Sequence, residues 1–190
     1  MNSISKRIQA ALSTRRARRQ AGVTLGETLI VLVIGGALLA LAFVGLRTAN
    51  SNVQSDDLAR GAVTLAGEIK RVNQNGGYAS VAADTVKGIV PGNWKYDGTD
   101  VLDSAGNVVN LSGSVGSFAM VFNNLSEENC RKIIPSLAGM AYKVNVGAVS
   151  GAAGVISGGS AYKAANGAID GGAAASGCAA ANAKIGIEVR

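Results

Sequence analysis

Residues 22–27 read Gly22-Val23-Thr24-Leu25-Gly26-Glu27, and they run directly into TLIVLVIGGALLALAFVGL, residues 28–46, before Arg47. The 19 residues between Glu27 and Arg47 carry no charge. A helix of about 20 mostly apolar residues is long enough to cross the hydrocarbon core of a bilayer. A soluble helix of that length normally keeps one polar face, and this one has none, so the stretch predicts a membrane-crossing helix. Ahead of it stand Lys6, Arg7, Arg15, Arg16, Arg18 and Arg19, with no acid among residues 1–22. Such a basic flank holds the N-terminus in the cytoplasm. Everything after Arg47 then faces the periplasm or the exterior.

Helical character continues beyond Arg47. No proline falls between Asn50 and Asn73, and Val53, Leu58, Val63, Leu65, Ala66, Ile69 and Val72 recur at mostly helical spacings. Polar and charged residues, among them Asp56, Asp57, Arg60, Glu68, Lys70 and Arg71, fill the other positions. The pattern predicts an amphipathic continuation of the hydrophobic helix. Asn75-Gly76-Gly77 supplies the stop, because glycine takes the left-handed geometry of a helix C-cap without penalty. Residues 24–74 are therefore expected to form one helix.

The charge of the chain follows the same division. The formal net charge is +6, and residues 1–22 hold six unopposed cations. The remaining 12 basic residues balance all 12 acidic ones. Basicity thus belongs to the leader, which argues against a nucleic-acid-binding surface. Histidine is absent, removing the usual neutral-pH proton shuttle and the commonest metal ligand. Two cysteines stand far apart with no C-x-x-C pair. No convergent set of titratable groups appears, so no catalytic, cofactor-binding or metal-ligating residue is assigned, and an enzyme is the least supported class.

After Gly77 the elements become short. Residues 79–87 read as a short helix ended before Pro91. Asp97-Gly98, Asp103 and Gly106-Asn107 are turn signals, and residues 108–111 and 117–122 read as paired strands. Ser126 is a good N-cap with Glu127 and Glu128 behind it, which predicts a helix over 127–137. Residues 141–149 and 185–189 read as further strands. Residues 150–183 are rich in Gly, Ala and Ser and cannot bury enough apolar surface to build a core of their own. Asp97, Asp100 and Asp103 miss the spacing of a calcium loop and are read as turn residues. Asn110-Leu111-Ser112 and Asn124-Leu125-Ser126 have the form of glycosylation sequons, read here as coincidence. The expected fold is α+β, with the long N-terminal helix packed on an antiparallel sheet.

Glu27 needs an explanation, because a carboxylate placed in a bilayer costs roughly 3 kcal/mol on insertion scales at the helix centre. The plain alternative makes it the last residue of the headgroup layer. The whole window from Gly22 to Glu27, followed at once by the apolar helix, resembles the processing site of type IV prepilins. The 22-residue leader and the first mature residue Val23 resemble the type IVb branch in particular. Gly26 departs from the pattern, since pilins usually carry a larger apolar residue there. The resemblance implies that a membrane aspartyl peptidase cuts between Gly22 and Val23 and N-methylates Val23. It further implies that Glu27 pairs with an N-terminal amine during assembly.

The segment from Phe122 to Lys132 is similar to the region around the first disulfide cysteine of type IVb major pilins. Residues 78–91 resemble the loop after the long helix in conjugative-plasmid and enteric type IVb pilins. In an oxidising periplasm two lone cysteines usually pair, so a Cys130–Cys178 bridge is expected to staple the Gly/Ala-rich stretch. Two buried free thiols are the alternative.

The resulting organisation is a cytoplasmic leader over 1–22, a long helix over 23–75 and an exported α+β domain over 76–190. The helix divides into an assembly half, 23–46, and an amphipathic half, 47–75. The implied partners are the prepilin peptidase, the pilus assembly machinery, the inner membrane before assembly, and other copies of the subunit in a homopolymer. The implied location is the bacterial inner membrane and then an extracellular pilus, serving adhesion, aggregation or conjugation. Two rivals stand beside a major pilin: a minor pilin or type II secretion pseudopilin, and a soluble binding protein released by cleavage after Ala42. The second uses Ala40-Leu41-Ala42, which has the form of a secretory cleavage site. Ser13-Thr14-Arg15-Arg16 resembles a twin-arginine signal but lacks the apolar residues expected directly after it. Gly35, Gly36, Ala40 and Ala42 equally suit close helix packing.

Overall fold

Helix α1 spans Leu25–Val72, 48 residues, in the computed structural model, which describes residues 25–180 and 182–190. The leader and the Gly22–Val23 bond lie outside the described residues. The chain divides between Leu46 and Arg47 into two compact units. In the described part of the first unit every residue except Gly35 is exposed. Leu32, Leu39 and Leu41 are 70% or more accessible. An 18-residue window of α1 has a mean hydropathy of 2.9 with none of it buried. By length and composition this helix can cross a membrane.

In the second unit the remainder of α1 buries Ser55, Leu58, Ala62, Leu65, Ala66 and Ile69. Spacings of three, four and seven place these residues on one stripe of a 3.6-residue helix. Val53 and Val63 fall off that stripe and are exposed, and so is Val72 in the last turn. The helix stops where both the backbone N–H and the side-chain amide of Asn73 bond to Ile69 O. Gly77 then turns left-handed with φ of 70°. A Cβ there would also press on Val115 O, so the turn requires glycine twice over.

Helix α2 is only Ala83–Val86, shorter than the 79–87 expected from sequence. Residues 78–81 form a turn instead, closed by Val81 N to Tyr78 O. Thr85 Oγ1 accepts from Ala82 N at 2.9 Å and donates back to Ser80 and Ala82 carbonyls. This side chain supplies local backbone partners that a longer helix would have needed from its own carbonyls.

Among the described residues seven antiparallel strands follow: β1 (Lys95–Tyr96), β2 (Val101–Leu102), β3 (Val108–Gly113), β4 (Phe118–Leu125), β5 (Lys143–Ala152), β6 (Val155–Lys163) and β7 (Ala183–Val189). Their order in the sheet is β1-β2-β3-β4-β7-β5-β6. The last strand is thus inserted between β4 and β5. Its register aligns Met120, Ile187 and Val144 in one row and Phe122, Ile185 and Val146 in the next. These rows belong to the same core as the buried stripe of α1.

Helix α3 (Glu127–Met140) contributes Cys130, Ile133, Ile134, Leu137 and Ala138 to that core. Ser126 caps it by accepting from Asn129 N, and Glu127 and Glu128 pair with Arg131 and Lys132 one turn on. At the other end Lys163 Nζ donates to the carbonyls of Ala138 and Ala141, 2.7 Å each. A cation there also suits the negative end of the helix dipole. Helix α4 (Gly171–Cys178) is capped by Asp170, whose carboxylate accepts from Gly172 N at 2.9 Å.

The Gly/Ala/Ser-rich stretch is ordered by its neighbours. It contributes the end of β5, all of β6 and α4. The β5–β6 register shifts between Val146 and Val149, where Gly147 adopts φ of 104°. Val144 and Val146 point to the main core, whereas Val149, an odd number of residues from both, packs with Ala119 and Ile156 in a second, small cluster on the other face. Ser117 Oγ donates to Gly154 O at 2.8 Å and holds the hairpin tip. Gly151 lies so close to the sheet that a Cβ would come within 2.9 Å of Val121 Cγ2. Small residues of this stretch, Gly151 and Gly154 among them, let the end of the hairpin lie against its neighbours.

Candidate assembly surface

Glu27 lies in the first turn of α1 and begins the exposed apolar run. Leu29, Ile30, Val31, Val33 and Ile34 follow it with 55% or more of their surface accessible. Nearby, Thr28 Oγ1 donates back to Leu25 O at 2.9 Å, keeping its hydroxyl satisfied within the helix. A helix end of this composition and exposure suits lipid or the apolar faces of other helices.

In the second unit the first turn of α3 joins three elements. Asn129 Oδ1 accepts from both Ser51 Oγ (2.9 Å) and Ser55 Oγ (3.0 Å) of α1. Its Nδ2 reaches toward Gln54 Oε1 at 3.5 Å. Lys132 Nζ donates to Asn52 Oδ1 and Glu128 Oε1 together. The Lys132 hydrogen bond, followed by one from Ser51, holds the Glu128 carboxyl below the ordinary glutamate range. Next to Asn129, Cys130 is bonded to Cys178 of α4, with Cα atoms 5.7 Å apart and both residues fully buried. One helical turn therefore ties α1, through amide and hydroxyl groups, and α4, through a covalent bond. The hydrogen bonds to α1 escaped sequence reasoning. Only the polar run Ser51-Asn52-Val53-Gln54-Ser55 hinted that this part of α1 faces polar groups.

Two of the three aspartates in the β1–β2–β3 region, Asp97 and Asp103, organise their own turns. Asp97 Oδ1 accepts from Thr99 N and Asp100 N, and these bonds, with Asp100 N the stronger, pull its carboxyl below the ordinary range. Asp103 Oδ1 accepts from Ala105 N and Asn107 N. Among the described residues no group of three or more His, Cys, Asp or Glu is placed to hold a metal ion.

No protein-family model and no curated protein matches the sequence of this chain. A solved structure does match its architecture: TcpA, a type IV pilin from Vibrio cholerae El Tor biotype. The superposition covers 72% of this chain and 99% of that one, with a TM-score of 0.51 and 13% identity. The fold is that of a type IV pilin. Here that fold is built from the long helix α1, the seven-stranded antiparallel sheet and the Cys130–Cys178 disulfide. In the second unit the polar contacts of Asn129 and the Cys130–Cys178 disulfide meet on one helical turn.

Proposed function

We propose that this chain is the precursor of a type IVb pilus subunit that polymerises through its N-terminal helix. The observation that carries the proposal is the coincidence of a pilin fold with a fully exposed apolar helix headed by Glu27. The prepilin-like window at Gly22–Glu27 adds independent support from sequence.

The sequence of events combines what the prepilin resemblance implies with the distribution of charge. The basic leader stays in the cytoplasm while the apolar helix sits in the inner membrane and the second unit is exported. A prepilin peptidase cuts between Gly22 and Val23, and Val23 becomes the N-methylated terminus. Its ammonium then heads an apolar helix, one turn from Glu27. In a bundle of such helices neither charge could be buried alone, whereas a pair is tolerated. The assembly machinery moves the subunit from the membrane into an extracellular homopolymer, which serves adhesion, aggregation or conjugative mating.

Mass spectrometry of the mature protein, with electron microscopy of the cell surface, tests the proposal. A terminus of N-methyl-valine 23 in filament-bearing cells is expected. An unmodified terminus at Phe43 on a soluble product would overturn it.

A further inference from the structure

A small cleft of about 180 Å³ lies between α1, the β2–β3 turn and the junction of β4 with α3. Its floor is apolar, formed by the buried Leu58 and Leu125 with Ala105 beside them. Its rim carries Gln54, Asn107 and Asn124, and the buried Asp103 lines it beneath them. No lysine or arginine lines it, so an anion would find no countercharge. A metal ion would find a single carboxylate, that of Asp103, which is 5% exposed. Asp103 already accepts from Ala105 N, Asn107 N and Asn107 Nδ2 at 2.8, 2.8 and 3.3 Å.

The unused hydrogen-bonding capacity is neutral and mixed. Asn124 Nδ2 donates to Asn107 Oδ1 at 3.0 Å, which leaves the Asn124 carbonyl oxygen able to accept. Gln54 offers both amide protons, since its oxygen is the atom turned to Asn129. Asn124 holds this position from a left-handed backbone, φ of 57°, inside the register shift of β4 between Phe122 and Leu125. Amide rims that both donate and accept, set above an apolar floor, match a ring with hydroxyls at its edge and C–H bonds on its face. The volume suits one such ring.

We propose that this cleft binds a single neutral pyranose unit, either a free sugar or the terminal residue of a glycan. The site lies within the second unit and does not depend on filament formation. The test uses the full-length, ¹⁵N-labelled chain in phosphocholine micelles, whose headgroups carry no sugar. Glucose, galactose, N-acetylglucosamine and their methyl glycosides are titrated to about 100 mM, well above a dissociation constant on the order of 1 mM. Saturable shifts at the side-chain amides of Gln54, Asn107 and Asn124 are expected for at least one pair. A preference for the methyl glycoside over the free sugar assigns the site to glycan termini, and the reverse assigns it to free sugars. Asn124→Gly keeps the left-handed backbone and is expected to weaken binding on the order of tenfold. Gln54→Ala, on an exposed helix face, is the second variant should Asn124→Gly disturb the fold. Ser176→Ala, outside the cleft, should leave binding unchanged. Shifts that stay linear for every sugar, or saturable shifts unaffected by both cleft variants, would overturn the proposal.

Discussion

The indole of Trp94 occupies the space that any side chain at Gly61 would need. Gly61 is a buried position on α1, and Trp94 also meets Phe122 edge-on, with ring centroids 6.2 Å apart. Trp94 Nε1 is buried and has no acceptor among the described residues, so shape and not a hydrogen bond holds the ring. A second glycine on the same helix, Gly67, is exposed and has nothing within 4 Å of its missing Cβ. The pair forms an internal control. Overpacking a core costs about 1–3 kcal/mol, whereas replacing a helical glycine by alanine gains up to ~1 kcal/mol. Gly61→Ala should therefore destabilise the second unit by roughly 1–2 kcal/mol. Gly67→Ala should stabilise it by about 0.5–1 kcal/mol. Denaturant unfolding of the two variants, followed by Trp94 fluorescence, checks both signs.

The Cys130–Cys178 bridge closes a sequence separation of 48 residues. In the chain-entropy model such a loop is worth about 4 kcal/mol. Cys178→Ser should lower the melting temperature of the second unit. The structure sharpens where the damage will fall. The β5–β6 hairpin keeps its ladder and its Ser117–Gly154 contact without the bridge, whereas α4 is left with the packing of Ala173 and Gly177 and a 3.4 Å hydrogen bond from Arg131 to Ala175 O. Limited proteolysis should cut within residues 164–182 and spare residues 143–163. Cuts spread evenly through the hairpin would contradict this.

Glu128 links pH to the contact between α3 and α1. Its folded-state pKa is depressed, first by the Lys132 hydrogen bond and then by Ser51. A depressed carboxyl contributes stability that is fully present above the ordinary glutamate range. That contribution is lost as pH falls through this range to the folded-state value. The stability difference between the wild type and Glu128→Gln should be constant at neutral pH and shrink in acid. Because the group is exposed, the effect should be small and should weaken with added salt. Thermal unfolding of both proteins across the acidic range measures it.

Processing is expected to depend on Gly22. A peptidase working at the membrane face needs a residue without a side chain beside the scissile bond, as the prepilin-like window suggests. Gly22→Leu should accumulate as uncut precursor in the inner membrane and form no filaments. Immunoblotting of membrane fractions decides it, and mature-sized protein would count against the assignment.

Assembly should separate from processing at Glu27, the only acid among residues 23–55. If the Val23 ammonium and Glu27 carboxylate pair within an apolar bundle, removing one leaves the other exposed to a cost of about 3–5 kcal/mol. Each 1.4 kcal/mol is about tenfold in the docking equilibrium. Glu27→Ala should still be cut after Gly22 but remain as membrane monomer. Abundant filaments from this variant in electron micrographs would return Glu27 to the role of a headgroup residue.

Much of this protein follows from short-range features of its sequence. The uncharged run of residues 28–46 and the apolar stripe after it are enough to predict α1, because helical periodicity acts within a few turns. Gly77 and Ser126 mark their boundaries because cap geometry is a property of a single residue and its neighbours. Strands β3, β4 and β7 were legible as apolar runs between turn residues, and the cysteines were legible as a pair. What tertiary structure decided is which distant segments meet. Nothing near Ala183–Val189 says that this strand inserts between β4 and β5; only the matching rows of Met120, Ile187 and Val144 select that place. The convergence of Ser51 and Ser55 on Asn129 joins residues more than 70 positions apart, beyond the reach of any local signal. Residues 150–183 show the division most clearly. Their composition correctly denies them a core of their own, and they become ordered because Val121, Ala119 and the β5 ladder lend them one. Local sequence sets what a segment can form alone, and burial against the rest of the chain sets what it becomes.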